Sequence, residues 1–140
     1  MLETAFVFVE FLTRTLLGVL FFAQGFDKVF HIGISGVARG FEQPATRYKI
    51  PVPVVNIVSA LTSYVELIGG FLLLLGYMKY YALYALGVDL LLVSASFSLI
   101  RPMWDMQYVM PRLSLLIALL LYPQDWGVWS LDYFLNKQSL

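Results

Sequence analysis

The 140-residue chain has no cysteine and a single histidine, His31. Without cysteine, disulfides, thiolate chemistry and every Cys-ligated zinc or iron–sulfur centre are excluded within this chain. With one histidine, no haem can be held between two histidines of one copy. No Ser-His-Asp relay forms either if His31 sits at the edge of the apolar region, as its position suggests. Charge is also scarce: 13% of residues are charged, against about 25% in an ordinary soluble domain. Nine Lys+Arg balance nine Asp+Glu, which argues against a nucleic-acid partner or an acidic tail. No HExxH occurs, no acidic cluster has the spacing of a divalent-metal site, and GISGVARG lacks the lysine of a phosphate loop. The catalytic and metal-ligand sets are therefore empty.

What the chain has instead is hydrocarbon. Hydrophobic residues make up 60% of it and its mean hydropathy is +0.78, the composition of a single membrane-embedded domain over residues 1–140. Four apolar runs stand out, at approximately 5–30, 52–77, 80–100 and 106–122. The first would reach ~39 Å as a helix, so tilt or protrusion is expected. It is read as structural, being too long for a simple signal peptide and lacking a basic start or a small-residue cleavage pattern. Pro51-Val52-Pro53 opens the second, where a first helical turn tolerates missing N–H groups. Arg101-Pro102 closes the third and Pro123 the fourth, with Pro111 either beginning or kinking that last helix.

Between the first two runs, Ile32–Ile50 mixes Phe41 and Tyr48 with Arg39, Arg47 and Lys49, which suits a short interfacial helix or a hairpin in the headgroups, a solvated loop being the other reading. After Pro123, Trp126, Trp129, Tyr133 and Phe134 suit the aromatic belt of a membrane interface. The expected fold is all-α: an integral membrane four-helix bundle with a short interfacial helix between the first two spans and an amphipathic aromatic C-terminal segment. Four spans place both termini on one side, with Lys79 and Lys137, while Lys28, Arg39, Arg47, Lys49 and Arg101 lie opposite. The richer side should be cytoplasmic and the termini periplasmic.

The informative residues are charges where lipid would not tolerate them. At 100° per residue, Glu10, Arg14, Gln24 and Lys28 share a face of roughly 80° on the first span. Asn56, Ser63 and Glu66 follow the same spacing on the second, Asp89 lies near the middle of the third, and Arg112 in the first half of the fourth. Pointed inward, Arg14 and Arg112 would balance Glu10, Glu66 and Asp89, with Lys28 nearer one mouth. Two readings stay open: a polar pocket for a small molecule, a proton-linked path or a quinone head around Arg14, Glu66, Asp89 and Arg112, or a self-satisfied ion-pair network that holds the helices together.

The run RTLLGVLFFAQGFDKVF, with Arg14, Gly18, Phe21, Gly25 and Lys28, the entry YKIPVP and the run ELIGGFLLLLGY, with Glu66, Gly69, Gly70 and Gly76, resemble the DoxX family of small bacterial membrane proteins. Asp89 departs from that pattern, and the fourth span is weakly diagnostic. The resemblance implies a place in the bacterial inner membrane. Some members look like membrane subunits of quinone-reducing sulfur oxidation systems, and others are associated with oxidoreductive stress complexes. It thus implies a non-catalytic subunit of a larger, redox-linked membrane complex, with a membrane-protein partner or a homodimer, surrounding lipid, no intrinsic cofactor, and quinone or lipid as the bound molecule. The competing reading is a quinone-linked oxidoreductase component or small-molecule carrier using Glu66, Asp89 and Arg14.

Overall fold

The computed structural model describes residues 2–100 and 106–138 and is all-helical over them. Helix α1 (Leu2–Phe26) runs on through a π-helical stretch, Asp27–Ile32, that ends at Gly33. Helix α2 (Ile34–Arg47) follows, then α3 (Val52–Leu75), α4 (Lys79–Ile100), α5 (Met106–Leu121), a 3₁₀ turn at Gln124–Trp126 and a terminal α6 (Leu131–Gln138). The π-helical stretch replaces the α-helical end expected for the first span, and Gly33, at φ 75°, turns the chain out of it. Pro51 caps α3, with Pro53 in its first turn, and left-handed Gly76 ends it by donating to the carbonyls of Leu72 and Leu73. Pro111 lies inside α5, which continues through it. Arg101, Pro102 and Asp105 lie outside the described residues, as do the side chains of Arg47 and Gln107.

Helices α1, α3, α4 and α5 pack in a ring, α1 against α3, α3 against α4, α4 against α5, and α5 back against α1. Leu17, Phe21, Leu73, Leu83, Leu86, Leu90, Leu116 and Leu119 fill its centre. The α1–α3 contact is drawn together by small residues. A Cβ at Gly25 would overlap the backbone of Leu67, and one at Gly70 would overlap the backbone of Phe22. The adjacent Gly69 faces Leu86 of α4 instead. Two successive glycines thus admit two different neighbours, the close approach that small residues permit between membrane helices.

Residues 34–47 are neither loop nor hairpin. Helix α2 lays Ala38, Phe41 and Ala45 against Val55 of α3 and Ile50, a second and smaller apolar cluster that seats it across the end of the bundle. The tail is likewise folded back. Trp126 stacks on Phe6 at 4.6 Å and Trp129 meets Phe11 edge-on at 5.5 Å, so these rings pack on α1.

The exterior is apolar. Leu121 is 77% exposed, Leu91 and Tyr81 71%, and Ile57 67%, while Glu10, Arg14, Glu66 and Asp89 are all buried. A soluble protein rarely leaves so much contiguous hydrocarbon in water. Two helical segments, Glu3–Ile32 and Val52–Leu75, are long and apolar enough to cross a membrane, and Val109–Leu121 is a shorter apolar stretch.

The glycine contacts make a direct test. Gly25→Ala or Gly70→Ala is expected to lower the stability of the micelle-embedded chain by ~1–3 kcal/mol, the usual cost of overpacking. Gly40→Ala, where an added Cβ meets nothing within 4 Å, should leave it unchanged or raise it by up to ~1 kcal/mol. Reversible unfolding in mixed detergent measures both.

Candidate functional site

The buried charges form two clusters rather than one network. The first lies where α1, the end of α3 and the start of α4 meet. Arg14 donates through Nη1 to the Leu73 carbonyl at 2.7 Å and through Nη2 to the Trp129 carbonyl at 2.6 Å. Its Nε lies 3.3 Å from Oε1 of Glu10, one helical turn earlier. Lys79 reaches the same Oε1 at 3.2 Å. Placing a guanidinium on the last carbonyls of α3 adds a second donor to the Leu73 carbonyl that Gly76 already caps and sets positive charge at the negative end of the helix dipole. The tail completes this cluster from outside. Both carboxylate oxygens of Asp132 accept from the backbone N–H groups of Met78 and Lys79 at 2.9 and 3.0 Å, capping α4 from a distant part of the chain. Nothing in this cluster is left for a ligand: Arg14 is 1% exposed and Glu10 0%.

The second cluster sits deeper along α3. Lys28 donates to Oε2 of Glu66 at 2.7 Å. The Arg112 guanidinium lies over the Phe21 ring at 5.6 Å, within electrostatic range of both Glu66 and Asp89. Asp89 is 2% exposed, and neither of its carboxylate oxygens has a hydrogen-bond partner among the described residues. The buried Oε1 of Gln24 is in the same condition. Gln24 of α1 and Lys28 of the π-helical stretch that continues it also line a cavity of ≈ 200 Å³ roofed by α2.

These positions revise the expected grouping of site residues. Arg14 does not join Glu66 and Asp89. Its carbonyl partner Leu73 stands about 10 Å further along α3 than Glu66, and Lys28 stands about 20 Å from Arg14 along α1, at 1.5 Å per residue. Arg14 therefore leaves the candidate pocket, while Lys28, expected only near a mouth, makes its shortest ion pair. Asn56, read onto the inner face, is exposed. Ser63 is buried but its hydroxyl donates to the Ser59 carbonyl of its own helix at 2.7 Å. Lys79, read as part of an interfacial turn, is buried and ionically paired. One signal for it was available: Glu10 lies one turn before Arg14, and an antiparallel second span ending at Gly76 brings the following turn level with Glu10. His31 is exposed, with Nδ1 2.9 Å from Asp27 Oδ1, and among the described residues no group of three His, Asp or Glu could hold a metal ion.

Helices that bury carboxylates and cations while exposing leucine define a small α-helical membrane protein with an internal charged network. Comparison with protein families makes the class specific. The chain belongs to the DoxX family, whose model matches residues 9–99. That match takes in α2, α3 and both halves of the Lys28–Glu66 pair, and it ends before α5 and the tail. Neither the curated proteins nor the solved structures yield a match.

Glu10→Gln is expected to strand two buried cations. The loss should be ~3–5 kcal/mol of folded-state stability, the range for breaking one side of a buried pair. Adding Lys79→Met should recover part of it, and a double-mutant cycle of unfolding midpoints in detergent reads the coupling.

Proposed function

We propose that the chain is a non-catalytic integral membrane subunit of a larger, redox-linked membrane complex in the bacterial inner membrane. The observation that carries this reading is the sealed Glu10–Arg14–Lys79 cluster. It spends its charges on joining α1, α3, α4 and the tail, and offers none to a substrate. In this reading α1, α3, α4 and α5 are four spans of one domain, over residues 1–140, and α2 and the tail lie at opposite membrane interfaces. The termini are then periplasmic, because Lys28, Arg39, Arg47, Lys49 and Arg101 fall on the other side. The exposed apolar faces meet lipid and a membrane-protein partner, or a second copy.

Native mass spectrometry of the tagged chain, extracted gently from its own membranes, tests the reading. A second protein at fixed stoichiometry is expected. A chain that always appears alone, with no partner at any extraction strength, would overturn it.

A second reading is favoured by Asp89, a buried carboxylate without a partner. Here the Lys28, Glu66, Asp89 and Arg112 cluster serves a lipid-soluble quinone or another small molecule, as a component of a quinone-linked oxidoreductase or as a carrier. The residues suit such a group: Lys28 is a donor for a carbonyl oxygen, the cavity beside it is mostly apolar, and Gln24 has an unused buried oxygen. A quinone would supply two-electron, two-proton acceptor chemistry. The chain's own part would be to orient its ring and to place a carboxyl nearby for protons. Glu66→Gln should then reduce quinone retained per folded chain at least tenfold while membrane insertion stays intact. Equal loss of folded protein and of quinone would assign Glu66 to architecture alone.

A further inference from the structure

Small hydroxyls on the long helices satisfy themselves. Ser96, Ser98 and Ser114 each donate to the carbonyl four residues earlier on the same helix, at 2.8, 2.7 and 2.9 Å. The phenol of Tyr64 has no such recourse, because its ring holds the oxygen away from its own backbone. Tyr64 is 47% exposed on the outer face of α3, and its hydroxyl has no hydrogen-bond partner among the described residues. It stands about 18 Å from the first residue of α3 and about 17 Å from the last, at 1.5 Å per residue. In a hydrocarbon layer of ~30 Å that is the middle. Tyr81 and Tyr84, in the first two turns of α4, can reach an interface; Tyr64 cannot. A polar group in hydrocarbon is costly until another group bonds it, which is how hydroxyls join membrane helices.

Tyr64 also belongs to a regular seam. Ile57, Leu61, Tyr64, Ile68, Phe71 and Leu75 are all exposed and follow one another at spacings of 4, 3, 4, 3 and 4 residues. That is the 3.5-residue repeat with which two helices interlock along their length. The seam runs for about 27 Å and carries no charge. Its one polar member lies at its centre, where a single polar position fixes the register of a coiled coil.

The chemistry of a phenol selects the occupant. A hydroxyl both donates and accepts, so it is complementary to itself. Two copies inserted in the same direction, related by a two-fold axis along the membrane normal, bring each residue of α3 level with its own counterpart. Each Tyr64 then meets the other at one depth, and an uncharged seam faces itself without repulsion. A helix of a different protein would have to bring an acceptor to that depth independently.

We propose that the outer face of α3 is the interface of a parallel homodimer, in which two copies interlock along Ile57–Leu75 and the paired Tyr64 hydroxyls hydrogen-bond at the bilayer centre. This goes beyond the subunit reading, which leaves the face and its occupant open, and does not depend on it.

The natural chain has no cysteine, so single substitutions report position cleanly. In native membranes, oxidation of Leu61→Cys or Ile68→Cys, about a turn to either side of Tyr64, is expected to give same-residue disulfide dimers. Leu91→Cys on α4 and Leu16→Cys on α1, also exposed, should not. Tyr64→Phe keeps the ring and removes only the hydroxyl. In energy-transfer measurements on the full chain diluted in lipid, it should weaken dimerisation by about three- to tenfold, the range of hydrogen bonds between membrane helices. Dimers that form best through Leu91 or Leu16 would overturn the proposal by placing the second copy on another face. An affinity unchanged by Tyr64→Phe would overturn it by making the hydroxyl irrelevant. A seam that cross-links only to a second protein would overturn the homodimer while leaving the subunit reading standing. A chain that stays monomeric at every dilution, with no other protein bound, would remove both.

Discussion

Arg14 carries a full charge into a bundle whose outer surface is hydrocarbon, and the rest of the fold is arranged around giving its nitrogens oxygens. An unpaired guanidinium at that depth is costly by any measure. Its partners come from three remote places: a carboxylate on its own helix, the closing carbonyls of α3, and the backbone of the tail at Trp129. Each partner constrains an element. Glu10 draws in Lys79 and so sets where α4 begins. The Leu73 carbonyl fixes the height of α1 against α3, the same register that brings Gly25 onto Leu67 and Gly70 onto Phe22. The Trp129 carbonyl holds the tail in, and Asp132 from that tail caps α4. A lysine at position 14 has no fork to span two carbonyls and a carboxylate at once.

The second cluster obeys different logic. Where the first gives each of its charged groups an oppositely charged partner, the second leaves buried oxygens of Asp89 and Gln24 without a hydrogen-bond partner among the described residues. A membrane interior supplies no water to meet such groups, so each carries the cost of an unpaired buried acceptor. The separation along the helices matters for the same reason. Charges about 20 Å apart can be tuned independently. The roof over the second cluster, α2, rests on a small satellite cluster rather than on the main core.

Hydropathy and proline placement mark the long apolar helices in the sequence, but not the π-helical end of the first or the choice between helix, hairpin and loop before the second. Runs of apolar residues and Pro51-Val52-Pro53 mark α3 within two residues of its observed ends, and charge-bearing faces were correctly turned inward at Glu10, Arg14, Glu66 and Asp89. What a helical wheel cannot carry is height. Glu10 and Lys28 share one angle on α1 yet serve opposite ends of the bundle, so a common face was taken for a common network. Asn56, beside the buried Val55 that packs on α2, is exposed. Gly69 and Gly70 were legible as a contact, but that each meets a different helix follows only from the arrangement of α1 and α4 around α3.

The span shared with the DoxX family ends at residue 99, and this boundary cuts both clusters. Lys28, Glu66 and Asp89, together with the α2 roof and the cavity walls, fall inside it, and Arg112 lies beyond it. The first cluster is inside only in part: Glu10, Arg14 and Lys79 are within, whereas the Trp129 carbonyl and the Asp132 cap come from beyond. The part of the chain that closes the sealed end therefore lies outside the matched region.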